Sequence, residues 1–127
     1  FSLGRLDLIA KMVTIVRDEG FIPLLLCHYA SLVLPAAEER GLDVEGYVFP
    51  LNREWSWFDR EDTLAAIKNI DKWLISFMAL GSGALRNDVE GALSYLFTDC
   101  NIDSVLYGTT SPENAEETAC IIRKLKG

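Results

Sequence analysis

The sequence is poor in the residues that build metal and redox sites. It has one histidine and three cysteines in 127 residues, and Cys27, Cys100 and Cys120 show no zinc-binding spacing. Such a scatter is typical of reduced thiols, which we interpret as small buried apolar side chains. A single histidine, with no motif around a serine or cysteine, also argues against a nucleophilic triad. We therefore expect a cytoplasmic protein with no metal site.

Positive charge and long apolar stretches are scarce as well. The chain has 12 basic and 19 acidic residues and a formal net charge of −7, which argues against binding to nucleic acid or to an anionic membrane surface. The longest apolar stretch, residues 21–37, is interrupted by Pro23 and Pro35 and is too short to span a membrane. No basic segment precedes an apolar one near Phe1, so we expect no signal peptide.

Apolar residues make up half of the chain, which is enough for one packed domain over residues 1–127. Helical periodicity over residues 5–19 predicts a first helix. Short apolar runs then predict four strands, at residues 21–27, 44–49, 73–80 and 102–107. A helical pattern follows each of them. The first run is continuous, which favours a strand covered on both faces.

Strands that alternate with helices predict an α/β fold with a parallel sheet. Four such βα units fit either a small doubly wound domain or half of a (β/α)8 TIM barrel. The first helix precedes the first strand, as though it followed a strand outside the chain. Half a barrel would leave two open strand edges and an uncovered sheet face, which favour association.

Capping chemistry predicts three helix starts. Ser111 followed by Pro112 suits the N-cap and the first position of the last helix. Asn87 has capping-box spacing with Glu90. Asp59 is the predicted N-cap of a third helix.

The loops at the carboxyl ends of parallel strands are the candidate sites, because ligands bind there in both architectures. The loop after the first strand holds His28, which is either a structural residue or a binding residue. The loop after the second holds Asn52, Trp55 and Trp57. The tryptophans fit either the wall of a substrate pocket or the packing of the loop over a barrel rim.

Glycine and hydroxyl residues dominate the loops after the third and fourth strands. These loops contain Gly81-Ser82-Gly83 and Gly108-Thr109-Thr110-Ser111. Glycine lets the backbone approach an anion closely, and helix N-termini present unpaired N–H groups. Barrels often build a phosphate site from the loops after their last two strands. Local turn chemistry explains either loop alone, but together they predict a site for an anionic group.

Three segments, in order, resemble the second half of the aldo/keto reductase family. They are RDEGFIPLLLCHY (17–29), ALGSGAL (79–85) and IDSVLYGTTSPENAEET (102–118). The family has a DEG segment at strand five, an LGSG segment at strand seven, and a TPE or SPE helix start after the last strand. The resemblance covers residues 5–125. It implies strands five to eight of a TIM barrel, with NADP or NAD lying across the barrel mouth.

The resemblance also implies roles for individual residues. Phe77 falls where many members stack a tyrosine on the nicotinamide. The match to the loop over the pyrophosphate consists of Gly81, Ser82 and Gly83. The match to the segment around the adenosine ribose phosphate consists of Thr109, Thr110, Ser111 and Asn114, and Gly108, directly before it, is a further candidate cofactor-binding residue. Glu117 matches a glutamate near the adenine.

The chain departs from the family pattern at several positions. Gly108 and Asn114 stand where NADP-specific members carry cations, so the charge-assisted contacts to a 2′-phosphate are missing. Thr118 replaces an adenine-contacting asparagine, and Cys27-His28 stands where a Ser-Asn pair holds the carboxamide. The family's catalytic Asp, Tyr, Lys and His all belong to the first half of the barrel.

The resemblance therefore implies the C-terminal half of an oxidoreductase that reduces a small carbonyl compound. This half contributes cofactor-binding loops, and His28 is its one candidate catalytic residue. The alternative is a non-catalytic, barrel-derived binding or self-associating protein that has lost nucleotide chemistry. The partner that completes the sheet is either an N-terminal half-barrel or a second copy of the chain.

Overall fold

The chain alternates strands and helices. A computed structural model describes residues 5–54 and 60–127, and these residues form five α-helices and four β-strands. The helices are α1 (Leu6–Asp18), α2 (Ala30–Glu39), α3 (Arg60–Ile67), α4 (Val89–Ser94) and α5 (Pro112–Lys126). The strands are β1 (Leu24–Leu26), β2 (Gly46–Pro50), β3 (Trp73–Phe77) and β4 (Ser104–Leu106). A left-handed turn over Gly81–Gly83 follows β3, and a π-helical turn over Tyr95–Asp99 follows α4.

The four strands form one parallel sheet in the order β1-β2-β3-β4. Its register aligns Leu26 with Val48, and Val48 with Ile75. A doubly wound sheet reverses its strand order at a switch point, whereas the order of the described strands is sequential throughout. Because crossovers between parallel strands are right-handed, a sequential order places the connecting helices on one face of the sheet. The prediction of parallel βα units is confirmed.

The face of the sheet that packs against the helices holds the core. Tyr47 and Phe49 of β2 and Ser76 of β3 are fully buried. They share this face because residues two apart in a strand, and register partners in a parallel sheet, point the same way. The Ser76 hydroxyl donates to the Leu51 carbonyl at 2.6 Å, so it is buried with a partner. Leu34 of α2 belongs to the same buried cluster.

The opposite face of the sheet is apolar, and several of its side chains are exposed, although Val48 on β2 is buried. We call it the open face, and its most exposed side chains are Leu24 (45%), Leu26 (56%), Trp73 (62%) and Leu106 (52%). Register partners in a parallel sheet, and residues two apart in a strand, point to the same face. Leu24, Gly46 and Trp73 are register partners, and Leu26 follows Leu24 by two residues. Leu106 is the register partner of Phe77, which follows Trp73 by four residues. The prediction that the first strand is covered on both faces is therefore wrong.

A polar network ties α2 to the amino-terminal end of the sheet. The Tyr47 hydroxyl donates to Glu38 Oε1, and Lys72 Nζ lies 2.7 Å from the same oxygen. Lys72 Nζ also donates to the Leu42 carbonyl at 3.0 Å and lies 5.6 Å from the centre of the Tyr47 ring. Burial, followed by the bond to Glu38, raises the pKa of Tyr47. Burial acts to raise the pKa of Glu38, but its bonds to Lys72 and Tyr47 outweigh burial and lower it.

The start of α5 follows its predicted chemistry. Ser111 is the N-cap, because its Oγ accepts the Asn114 N–H at 3.3 Å, and Pro112 is the first helical residue. None of the described helices is long and apolar enough to cross a membrane.

The start of α4 differs from its prediction by one residue. Asn87 is not the N-cap; instead Asp88 Oδ1 accepts the Gly91 N–H at 3.1 Å. Asp88 Oδ2 also lies 2.8 Å from Arg53 Nη1, in the loop after β2. The bond to Arg53, and then the Gly91 N–H, lower the pKa of Asp88. The other predicted cap, Asp59, lies outside the described residues.

Candidate functional site

The two glycine-containing loops meet at the carboxyl-terminal edge of the sheet. With the start of α5 they enclose a cavity of about 710 Å³, which we call the loop cavity. It is lined by Leu80, Ser82, Gly83, Arg86, Val89, Tyr107, Gly108, Thr109, Thr110, Asn114, Glu117 and Thr118. Of the residues predicted to bind a cofactor, all but Phe77, Gly81 and Ser111 belong to this lining. The volume lies within the range of small-molecule sites, roughly 300–1,000 Å³.

The loop between β3 and α4, residues 78–88, has an unusual backbone. We call it the first loop, because it is the first of the two loops that form the cavity. Met78 and Ser82 have φ values of 56° and 54°, in the left-handed region that residues with a Cβ seldom occupy. Gly81 and Gly83 have φ values of 60° and 94°. Gly81 is buried, and its N–H donates to the Met78 carbonyl at 2.8 Å. Left-handed conformations concentrated in a loop are a feature of ligand-binding sites.

The loop after β4 is closed by its own hydroxyl groups. Thr109 Oγ1 donates to the Ser111 carbonyl at 3.1 Å, and the Ser111 hydroxyl donates to Glu113 Oε2 at 2.7 Å. The bond from Ser111 lowers the pKa of Glu113. Ser111 is thus engaged by its own helix, and Thr110 and Asn114 line the loop cavity in its place.

Charge in the loop cavity is sparse. Among the described residues its lining contains one cation, Arg86, and one carboxylate, Glu117, and both are exposed. A Cβ built on Gly108 would meet no atom within 4 Å, so the cavity is open there. Sequence reasoning missed Arg86 and Tyr107 as lining residues. The available signal was that Arg86 follows Gly83 by three residues in the same short loop.

Contacts from the loop after β2 support the first loop. Asn52 is fully buried, and its Nδ2 donates to the Met78 carbonyl at 3.2 Å. Its Oδ1 accepts the Glu54 N–H at 3.0 Å. Asn52 does not belong to the lining of the loop cavity, and its place in a substrate pocket stays a prediction. The tryptophans predicted beside it, Trp55 and Trp57, lie outside the described residues.

His28 and Phe77 pack against each other outside the lining of the loop cavity. Their ring centroids are 5.4 Å apart, and the ring planes meet at 81°. His28 lines a separate cavity of about 310 Å³ with Cys27 and Tyr29. Burial raises the pKa of Cys27 to about 12, so this thiol is protonated at neutral pH. The predicted roles of His28 and Phe77 stay predictions.

No family model and no curated protein matches this chain. The side chains of the loop cavity indicate the class of ligand that it can hold. In residues 5–54 and 60–127, no group of histidine, cysteine, aspartate and glutamate side chains is arranged to hold a metal ion. The cavity instead offers hydroxyl and amide groups, a guanidinium and a carboxylate. This combination suits a ligand that carries an anionic group beside sugar hydroxyls.

Proposed function

We propose that the chain is the C-terminal half of an aldo/keto-reductase-like (β/α)8 barrel, and that the loop cavity binds the diphosphate and adenosine ribose of NAD or NADP. One observation carries the proposal: glycine-containing loops after two consecutive parallel strands meet in one cavity. Phosphate sites in barrels are frequently built by the loops after the last two strands.

The residues of the loop cavity fit such a nucleotide. A Cβ built on Gly83 would meet no atom within 4 Å, so a ligand can approach the backbone of the turn. Arg86 supplies positive charge for the diphosphate. Thr110 and Asn114 offer donors and acceptors at the start of α5, and Glu117 offers an acceptor for a sugar hydroxyl or an adenine amine.

The open face supports the half-barrel part of the proposal. In a closed barrel the inward-pointing side chains pack together in layers at the centre. Here the equivalent face carries Leu26 and Trp73, which are more than half exposed. Four further βα units would bury this face and would pair with the free edges of β1 and β4. We propose that an N-terminal half-barrel supplies them.

In the proposed reaction, this chain binds and orients the cofactor, and the other half supplies the catalytic acid. When bound, the nicotinamide cofactor would supply the hydride for the reduction of a small carbonyl substrate. A proton for the carbonyl oxygen then has to come from a positioned acid. The Tyr107 hydroxyl of the cavity lining is already bonded to the Ala115 carbonyl at 3.2 Å. His28 lines a separate cavity, so the proposal assigns the acid to the other half-barrel.

Calorimetric titration of NADH and NADPH into the protein tests the proposal. We expect wild-type protein to bind, and Gly108→Phe to lose binding, because the open space at Gly108 lets the ring fill the cavity without displacing its neighbours. Glu116→Phe is the matched control, since Glu116 is exposed on α5 and does not line the cavity. Absence of binding at millimolar cofactor contradicts the proposal, and so does an equal loss in both variants.

A non-catalytic protein that associates with itself is the second candidate. It is favoured by the sparse positive charge of the described cavity lining, where Arg86 is the single cation. On this alternative the open face is the functional surface, and a second copy of the chain covers it. Self-association without cofactor binding decides for this candidate. If wild-type protein binds the cofactor and Gly108→Phe does not, the result supports the first candidate, the cofactor-binding half-barrel.

A further inference from the structure

The first loop depends on a backbone conformation at its first residue. Met78 has a φ of 56°, and a residue with a Cβ keeps this conformation only where surrounding contacts fix it. The Met78 carbonyl accepts the Gly81 N–H at 2.8 Å, which closes the turn that leads into Ser82 and Gly83. The conformation of Met78 therefore determines where Ser82 and Gly83 lie in the cavity lining.

Asn52 supplies a contact that fixes Met78. Its Nδ2 donates to the same Met78 carbonyl at 3.2 Å, and its side chain is fully buried. Its Oδ1 accepts the Glu54 N–H at 3.0 Å, so the amide is held from both ends. The bond to Met78 joins residues 26 apart in the sequence and links the loops after β2 and β3.

We infer that Asn52 is a positioning residue for the diphosphate part of the ligand. Its amide holds Met78 in the left-handed conformation, and this places Ser82 and Gly83 in the loop cavity. The inference rests on the proposed function and extends it to a residue outside the cavity lining. A side chain here has to donate and accept at once. Leucine of similar size does neither, and aspartate accepts but does not donate.

Comparing ADP-ribose with adenosine tests the inference, because adenosine lacks the diphosphate. ADP-ribose binding to wild type, Asn52→Leu and Asn52→Asp is measured by calorimetry, and adenosine binding by NMR titration. We expect both variants to bind ADP-ribose roughly tenfold more weakly, the effect of about one lost hydrogen bond, with adenosine binding unchanged. Asn52→Asp keeps the acceptor for the Glu54 N–H and so perturbs the fold in a different way from Asn52→Leu. Thermal melting verifies that each variant is folded.

Met78→Gly provides an independent test in the same loop. Glycine adopts a φ near 56° without a Cβ clash, so the turn no longer depends on the Asn52 amide. Adding Asn52→Leu to Met78→Gly is therefore expected to weaken ADP-ribose binding less than Asn52→Leu does in the wild-type background. A merely structural role for Asn52 would give equal losses in the two backgrounds.

The outcomes separate the inference from the proposal beneath it. Equal losses of ADP-ribose and adenosine affinity in Asn52→Leu, or no loss of either, overturn the positioning role and leave the cofactor site standing. Wild-type protein that binds neither NADH, NADPH nor ADP-ribose overturns the proposed function, and the inference fails with it.

Discussion

Replacing Leu26 by lysine tests whether the open face is a contact surface. Leu26 is 56% exposed on β1, which is an edge strand of the described sheet. A charge at this position reaches solvent in the isolated chain, so the fold loses little. Once another polypeptide covers the face, the same charge is buried without a partner. We therefore expect Leu26→Lys to fold and to lose association.

The exposed fractions set the size of the effect. Full burial of a leucine side chain stabilises by about 1.5–3 kcal/mol. Burying the exposed half of Leu24, Leu26 or Leu106 in an interface therefore contributes about 1 kcal/mol for each residue. Trp73 is 62% exposed, and a side chain of roughly 200 Å² then adds about 3 kcal/mol at about 25 cal/mol per Å². Two copies together gain about 12 kcal/mol, against roughly 4–15 kcal/mol for association. The isolated chain should therefore associate weakly and in a concentration-dependent manner.

The lysine substitution removes about 1 kcal/mol of burial and adds about 3–5 kcal/mol for an unpaired buried charge. Since about 1.4 kcal/mol is a tenfold change, and a dimer carries the substitution twice, the dissociation constant should rise by roughly a thousandfold or more. Sedimentation velocity over a range of concentrations measures it, with circular dichroism as the test of folding. Leu32→Lys is the matched control, because Leu32 is 66% exposed on α2, on the helix side of the sheet. Wild-type protein that stays monomeric at every concentration refutes the reasoning, as does an equal effect of the two substitutions.

Three further predictions concern the stability of the sheet and the choice of cofactor. Tyr47→Phe removes the hydroxyl that donates to Glu38 and should lower the free energy of unfolding in urea by about 1–3 kcal/mol. Because the pKa of Glu38 is lowered in the folded state, its contribution is present above its unfolded pKa of about 4.3 and is lost as the pH falls through the folded value. Acidification should therefore lower the free energy of unfolding of Tyr47→Phe by less than that of the wild type, which urea titrations at several pH values measure. Gly46→Ala places a Cβ 2.5 Å from the Trp73 carbonyl oxygen and should destabilise by about 1–3 kcal/mol in the same assay, whereas Gly108→Ala, in open space, should not. Gly108→Lys adds a cation to the loop cavity and should raise the affinity for NADPH relative to NADH by roughly tenfold in calorimetry; an unchanged ratio would show that the 2′-phosphate does not lie near this position.

The order of strands and helices could be predicted from the sequence because its signals are local. Each apolar run is bounded by turn residues and helical periodicity, and Ser111 with Pro112 marks the start of α5 by chemistry that needs no distant partner. The exposure of Leu24 and Leu26 could not be predicted, because a continuous apolar run is identical whether its second face is covered or open. That property depends on what packs against the sheet.

Long-range contacts account for the other differences at the site. Asn87 and Asp88 are both suitable caps by local chemistry, and Asp88 in addition pairs with Arg53 from the preceding loop. The burial of Asn52 follows from its bond to the Met78 carbonyl across two loops. The sequence identified the loops that form the cavity, but the residues that hold those loops in place are set by tertiary contacts.

The distribution of strained backbone independently favours the carboxyl-terminal edge as the functional end. At the amino-terminal end, Tyr47 and Lys72 are paired with Glu38 in one network that joins the sheet to α2. At the other end, Met78 and Ser82 hold left-handed conformations that cost roughly 1–3 kcal/mol each. Asn101, the remaining described non-glycine residue of this kind, is of a type that adopts the conformation readily. Strain concentrated in one loop beside a cavity lowers stability, and strain of this kind is typical of ligand-binding loops.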